Sequence, residues 1–149
     1  MLLAVAIHDP ATYTAFGLDV PRAMTAIDTV NLRVSFTAPD SGRVVVRLSG
    51  VIRGAETPAD ILLGVLEGAT VRARKNPDIG RTIGATGTAM ARIEAVVPVT
   101  GLTPGAVLTW DAACGVESGV AGLVLGRGGA NDAVAANATG AFVFEVWRA

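Results

Sequence analysis

Cysteine and histidine are nearly missing from this sequence, which has one of each among 149 residues. A single cysteine cannot form a disulfide within its own chain. A zinc site would need carboxylates for most of its ligands, which is unusual. Cys114 shares the inward face of one predicted strand with Leu108 and Trp110, so we expect a small buried side chain and not a nucleophile. We expect His8, beside Asp9, to contact a neighbouring element and not to act as a base.

Charged residues and long apolar runs are also scarce. Charged side chains make up 17% of the sequence, against about 25% in average soluble domains, and the mean hydropathy is +0.51. The first apolar run, MLLAVAI, has seven residues, whereas a membrane-spanning helix needs about 20. It lacks a basic segment, and no cleavage site follows it. We therefore expect no membrane insertion and no signal peptide, and we expect the surplus apolar surface to face other protein chains.

Motifs for nucleotide binding and for acyl chemistry are absent. In GLVLGRGGANDA, Asn131 stands where a dinucleotide-binding loop needs glycine, and the Gly-Lys-Ser/Thr of a P-loop is missing. The segment GVESG does not have the spacing of G-x-S-x-G. The net charge is −1, and the basic cluster has no interleaved aromatic residues that could stack on bases. This cluster, typical of a protected strand edge, consists of Arg72, Arg74, Lys75 and Arg81. We therefore expect a non-enzymatic protein with no cofactor, no metal and no nucleic-acid partner.

The hydrophobic pattern from residue 30 onward predicts strands separated by turns. In VNLRVSFT, apolar residues alternate with polar ones, as in a half-buried strand. The apolar face of this segment is formed by Val30, Leu32, Val34 and Phe36. The segment APDSG has the residues of a turn. Further strand segments follow at close spacing: RVVVRLSGVIR, DILLGVLEG, ATVRARKNPDIGR, TAMARIEAVVPV, AVLTWDAACGV, VAGLVLG and GAFVFEVWRA. With no long helical stripe, this pattern predicts an all-β fold, an antiparallel β-sandwich of jelly-roll type.

The beginning of the chain differs from the rest. It contains Pro10 and Pro21 and shows no sustained hydrophobic period. We therefore predict that residues 1–29 form an extended N-terminal arm with at most one short strand. Residues 30–149 are predicted to form the β-sandwich domain.

Two predicted strands are apolar on both faces, although the strand of a lone sandwich normally has one polar face. In AFVFEVW, Phe142 and Phe144 lie on one face, whereas Val143 and Trp147 lie on the other. The segment DILLGVLEG has the same property. Either the arm or a neighbouring subunit must cover these second faces, and exposed apolar patches usually mark interaction sites. We predict a symmetric oligomer whose subunit interface includes Val143, Trp147, Leu62 and Leu66.

Three segments resemble β-sandwich modules in virion proteins of phages that infect actinobacteria, often called minor tail or tail-fibre proteins. These segments are VSFTAPDSGRVVVRLSG, VTGLTPGAVLTWDAACGV and the terminal GAFVFEVWRA, and the resemblance spans residues 30–149. The order of strands is also similar to that of the tumour-necrosis-factor/C1q jelly roll, which implies a homotrimer. A second resemblance links GLTPGAVL to a turn of fibronectin type III domains. The chain departs from that family because Leu108 stands at its tyrosine position and because the early strand lacks the tryptophan often found there. The second resemblance implies an immunoglobulin-like sandwich as the alternative fold.

The first resemblance implies a structural protein of the bacteriophage virion, associated with the tail. Such a protein would act by assembling with copies of itself and with other virion proteins, which the N-terminal arm would contact. A capsid decoration protein is the alternative assembly role. A carbohydrate-binding module that recognises the host surface is an alternative of a different class. Its outward ligand residues would be Asp111, Arg127, Asn131 and Asp132.

Overall fold

A computed structural model describes residues 1–8, 14–16, 22–53, 61–75, 90–116, 123–125 and 141–149. Within these ranges the chain forms eleven strands and no helix. The strands make two antiparallel sheets that pack face to face. The predicted all-β, antiparallel sandwich is therefore confirmed.

Sheet A has six strands and is centred on β5. One edge of β5 pairs with β8, and the other edge pairs first with β11 and then with β10. Beyond these, β1 pairs with β11 and β2 pairs with β10. The strands of sheet A are β1 (Leu2–His8), β2 (Thr14–Phe16), β5 (Val44–Arg53), β8 (Met90–Val99), β10 (Leu123–Leu125) and β11 (Phe142–Arg148).

Sheet B has five strands and is centred on β9. One edge of β9 pairs with β6, and the other edge pairs with β4 and β3 in succession. The outermost strand, β7, pairs with β6. The strands of sheet B are β3 (Met24–Ala26), β4 (Arg33–Thr37), β6 (Ile61–Glu67), β7 (Thr70–Lys75) and β9 (Val107–Val116).

The core between the sheets is built from residues that alternate along each strand, as the period of two requires. On β9 the predicted inward set, which includes Leu108, Trp110 and Cys114, lies in this core. The Trp110 ring packs edge-to-face against Phe36, with 4.8 Å between ring centroids. Its indole Nε1 donates a hydrogen bond to Glu67 Oε2 at 3.1 Å, so the one polar atom of this buried ring is satisfied.

The predicted N-terminal arm contributes strands to both sheets. Residues 1–29 supply β1 and β2 to sheet A and β3 to sheet B. The prolines at positions 10 and 21 lie outside the described residues. These three strands lack a strong local hydrophobic pattern. They pair with edges of β11, β10 and β9, whose backbone groups can accept another strand.

The first predicted strand starts later than its pattern indicates. Val30 is exposed, and β4 begins at Arg33. The reason is a turn around Asp28, whose Oδ1 accepts hydrogen bonds from the backbone N–H groups of Val30 and Asn31, both at 2.8 Å. The backbone N–H of Leu32 donates to the carbonyl of Asp28. Aspartate commonly bonds nearby backbone groups in this way, and the turn replaces the start of the strand.

Candidate interaction surface

The outer face of sheet A, which points away from the core, carries several exposed apolar side chains. Cross-strand register places Trp147 between Leu2 and Val45, and places Val143 beside Ile7. The exposed fractions are 40% for Leu2, 45% for Val5, 64% for Ile7, 38% for Val96 and 38% for Trp147. We call this surface the outer patch, and it consists of Leu2, Val5, Ile7, Val45, Val96, Val143 and Trp147.

A β-bulge brings the first residue of β1 onto this face. Leu2 is opposite Trp147 and Ala4 is opposite Val146, so Leu3 is the extra residue between them. Leu3 packs against the core, whereas Leu2 lies on the outer face beside Trp147. Since one residue of shift moves a side chain to the opposite face, the bulge allows both leucines to be used.

A network of charges crosses the outer face next to the apolar side chains. Arg47 on β5 donates from Nη2 to Glu94 Oε2 at 2.9 Å and from Nη1 to Glu145 Oε2 at 3.4 Å. Glu145 Oε2 also accepts the indole N–H of Trp147 at 3.2 Å. The hydrogen bond and the charge of Glu94 raise the pKa of Arg47. Partial burial lowers this pKa, and the hydrogen bond and charge of Glu145 raise it further. The network therefore joins three strands and fixes the edge of the Trp147 ring.

The charged side chains described on this face are paired within the chain. Arg92, also on the outer face of β8, donates from Nη2 to the Ser49 hydroxyl at 2.8 Å. Together with the Arg47 network, this pairs two arginines with two glutamates and a buried serine. A partner that covers these described side chains would therefore not have to supply a charge to pair with them.

The four residues predicted for a subunit interface lie on two different surfaces. Val143 and Trp147 belong to the outer patch, where Trp147 is exposed. Leu62 and Leu66 lie on the outer face of sheet B, where they are only 3% and 8% exposed within the single chain. Leu62 and Leu66 therefore offer little area to another copy.

The outer face of sheet B is covered in part by the chain segment around β3. Two glycines there, Gly64 and Gly115, leave room for the Met24 side chain: a Cβ on either glycine would lie 2.9 Å from a Met24 side-chain atom. Arg22 and Arg74 tie this segment down, because Arg74 Nη1 donates to the Arg22 carbonyl at 2.8 Å. Residues 22–24 therefore cover part of this face. The sequence left two arrangements open, and this one is the arrangement in which the N-terminal segment folds over an outer sheet face.

Of the predicted glycan-contacting residues, only Asp111 falls within the described part of the chain. It lies on β9 and not on a loop, and it is 5% exposed. Both of its carboxylate oxygens accept hydrogen bonds from Arg33, so the prediction of an outward ligand is wrong for this residue. The remaining three, Arg127, Asn131 and Asp132, lie outside the described residues.

Cys114 and His8 occupy separate structural environments. Cys114 is fully buried, and burial raises the pKa of its thiol to about 12. At neutral pH it is therefore a neutral, unreactive part of the core, as the sequence predicts. His8 Nε2 lies 3.5 Å from Asp28 Oδ2, so it links the end of β1 to the turn before β4.

The basic cluster of the sequence lies on β7, the outermost strand of sheet B. Arg72, Arg74 and Lys75 are exposed there, and Arg72 pairs with Glu67. The fourth residue of the cluster, Arg81, lies outside the described residues. Charged side chains on an outer strand hinder pairing with a second sheet, which agrees with the interpretation of this cluster as edge protection.

The sequence pattern did not identify the part of the outer patch that β1 contributes. The alternation of Leu2, Val5 and Ile7 is interrupted by the bulge, so the run MLLAVAI has no clean period of two. The absence of charged residues from this run was the one feature of the sequence that could have indicated an apolar surface strand. Val45 and Val96 could not be assigned to the same surface, because their neighbours are set by sheet pairing and not by local sequence.

No protein-family model matches the chain, and no curated protein matches it in sequence. Among the residues that the structure describes, no helix is long and apolar enough to cross a membrane. The same residues contain no group of three or more His, Cys, Asp or Glu side chains that could hold a metal ion.

Proposed function

We propose that this chain is a non-enzymatic structural protein of a bacteriophage virion, associated with the tail, and that it acts by assembling with copies of itself and with other virion proteins. The observation that supports assembly is the outer patch, where apolar side chains on neighbouring strands are exposed together. Patches of this kind usually mark interaction sites. The virion location and the expected three copies rest on the resemblance to phage β-sandwich modules and to trimeric jelly rolls.

The chemistry of the outer patch suits burial against protein. Trp147 provides the large, rigid apolar surface that is enriched at the energetic centre of interfaces. Its indole N–H already bonds Glu145, so covering the ring leaves no donor unsatisfied. The arginines and glutamates beside it are paired with groups of the same chain. Burial of these described side chains would therefore leave none of their charges unpaired, and an unpaired buried charge is strongly destabilising.

The assembly proposal is tested by the mass of the purified chain in solution, measured by light scattering behind a sizing column. We expect an oligomer for the wild type and a smaller species for Trp147→Lys, because the ammonium group would be buried at the contact. Val107→Lys is the matched control, since Val107 is 75% exposed on β9 of the other sheet. A monomeric wild type at all concentrations would overturn assembly of the chain with itself.

The virion proposal is tested by mass spectrometry of purified particles from a phage whose genome encodes the chain. Heads and tails are separated before digestion. Peptides of the chain in the tail fraction would support the proposal. Peptides in the head fraction alone would replace it by the capsid decoration role, and particles without the chain would overturn a virion role altogether.

A further inference from the structure

Strand β1 lies at the outer edge of sheet A. Its one pairing partner among the described strands is β11. Strand β4 of sheet B lies near β1 at the side of the sandwich but pairs with β9 instead. The second edge of β1 therefore presents a row of backbone N–H and C=O groups that no other described strand uses. Such a row is a template for another strand.

The composition of β1 distinguishes it from the other long edge strands. From Leu2 to Ile7 it contains no charged residue and no proline. By contrast, β7 carries three basic residues, and β4 carries Arg33 with polar Ser35 and Thr37. The remaining long edge, β8, contains Pro98 together with two charged residues. Proteins use charges, proline and β-bulges to prevent edge pairing. Strand β1 has neither charge nor proline between Leu2 and Ile7, and its bulge at Leu3 is confined to its N-terminal end.

We infer that β1 pairs antiparallel with β1 of a second copy across a two-fold axis, so that the two A sheets join into one continuous sheet. This inference rests on the proposed function, because it names the partner of the edge that borders the outer patch. In a register centred on Val5, the regular part of the strand pairs Val5 with Val5 and Ala4 with Ala6 of the second copy, and the bulge at Leu3 lies beyond this pairing. Val5 also lies diagonal to Ile7 of the second copy, within reach of a side-chain contact.

A second copy fits this edge because the strand is complementary to itself. A two-fold contact places each residue against the same strand in reverse, so any charge near the middle would meet its like. The absence of charge between Leu2 and Ile7 removes this penalty. The contact would also bring the exposed side chains of Val5 and Ile7 from both copies together on one outer face.

The symmetry of the contact sets the number of copies. A two-fold contact alone gives a dimer, and together with a three-fold contact it gives a hexamer. The number of copies is therefore even. A trimer, which the jelly-roll resemblance implies, would support self-assembly but would overturn pairing through β1.

The test is a disulfide cross-link in the full-length chain. In the proposed register the two Val5 side chains are directly opposed, so Val5→Cys should form a disulfide-linked dimer under mild oxidation, in most of the protein at micromolar concentration. Val107→Cys is the matched control at an exposed position of β9 in sheet B, and the wild type controls for the buried Cys114. Both controls should remain uncross-linked on a non-reducing gel.

A second variant keeps the test independent of cysteine geometry. Val5→Lys places two ammonium groups opposite each other and should halve the solution mass, whereas Val107→Lys should leave it unchanged. An unchanged mass for Val5→Lys, combined with no cross-link in Val5→Cys, would overturn β1 pairing. If Trp147→Lys still lowered the mass in that case, the proposed function would stand. A monomeric wild type would overturn both.

Discussion

Arg33 on β4 holds the buried carboxylate of Asp111 on β9 through two hydrogen bonds, Nε to Oδ1 at 2.7 Å and Nη2 to Oδ2 at 2.9 Å. The two residues are directly opposite in the sheet register. Hydrogen bonding to Asp111, more than the negative charge of Asp111, raises the pKa of Arg33. A forked contact of this kind fixes geometry as well as charge, so it locks the register of the edge strand β4 against the centre of sheet B.

Arg33→Ala should lower the melting temperature. The carboxylate of Asp111 would stay buried but would lose both hydrogen bonds from Arg33, and an unpaired buried charge destabilises the native state. Arg33→Lys should recover only part of the loss, since lysine cannot form the two parallel hydrogen bonds. Thr37→Ala, at an exposed position on the same strand, is the control. Thermal unfolding followed by circular dichroism measures the change. If Arg33→Ala and Thr37→Ala melt alike, Arg33 does not stabilise the fold.

The thiol of Cys114 should make the wild type lose stability in alkali. Its pKa is about 12 in the native state, against an ordinary value of 9.0. Below pH 9 the thiol is protonated in both states, whereas between pH 9 and pH 12 only the unfolded chain releases the proton. The free energy of unfolding should therefore fall by up to about 1.4 kcal/mol per pH unit in this window.

Cys114→Ala provides the comparison, because it lacks this titration while keeping the other alkaline groups. Urea unfolding at a series of pH values gives both curves. We expect the free energy of unfolding to fall more steeply with pH for the wild type than for Cys114→Ala between pH 9 and pH 12, and curves that stay parallel would contradict the prediction. A thiol reagent at pH 8 should likewise label Cys114 only after urea has unfolded the chain.

The turn around Asp28 should depend on its carboxylate. Partial burial would raise the pKa of Asp28, but hydrogen bonds from Asn31 and Val30 outweigh it and lower the pKa below 3.8. The deprotonated form therefore stabilises the native state above this value, and the contribution is lost as the pH falls through the native pKa. Asp28→Ala should cost about 1 kcal/mol at neutral pH, by analogy with helix-cap substitutions.

Asp28→Asn keeps a side-chain oxygen that can accept the same backbone bonds, so it should lose less stability than Asp28→Ala. Thr29→Ala, at an exposed position in the same turn, should be close to neutral. Urea unfolding at pH 7 and at pH 3 separates the variants. Equal stability of Asp28→Ala and the wild type at pH 7 would show that the turn forms without this side chain.

Gly64 should not tolerate a side chain. A Cβ at this position would lie 2.1 Å from the backbone oxygen of Ala73 and 2.9 Å from the Met24 side chain. Because the first of these is a backbone atom on β7, the strand itself would have to move. Gly64→Ala should destabilise the protein by about 1–3 kcal/mol, in the range of overpacked cores. Thr37→Ala, at an exposed position on β4, should stay within about 0.5 kcal/mol of the wild type. Equal unfolding midpoints of Gly64→Ala and Thr37→Ala would disprove the close approach.

The strands from residue 33 onward could be predicted from the sequence because their signal is local. On β9 the inward phase of Trp110 and Cys114 follows from alternation alone, and the structure places both in the core. The role of Asp111 could not be predicted in the same way. Its outward phase was correct, but its partner Arg33 lies 78 residues away in the chain. Whether an outward residue is free or buried depends on that distant partner.

The sequence by itself determined the all-β class, the strand segments from β4 to β11 and the inward face of strands such as β9. These depend on a period of two that each segment carries within itself. Only the tertiary structure decided that β1, β2 and β3 join the sheets, that the Met24 segment covers part of sheet B, and that Trp147 stays exposed beside Leu2. The physical reason is that backbone pairing and surface covering join segments far apart in the chain, and no local pattern specifies which two will meet.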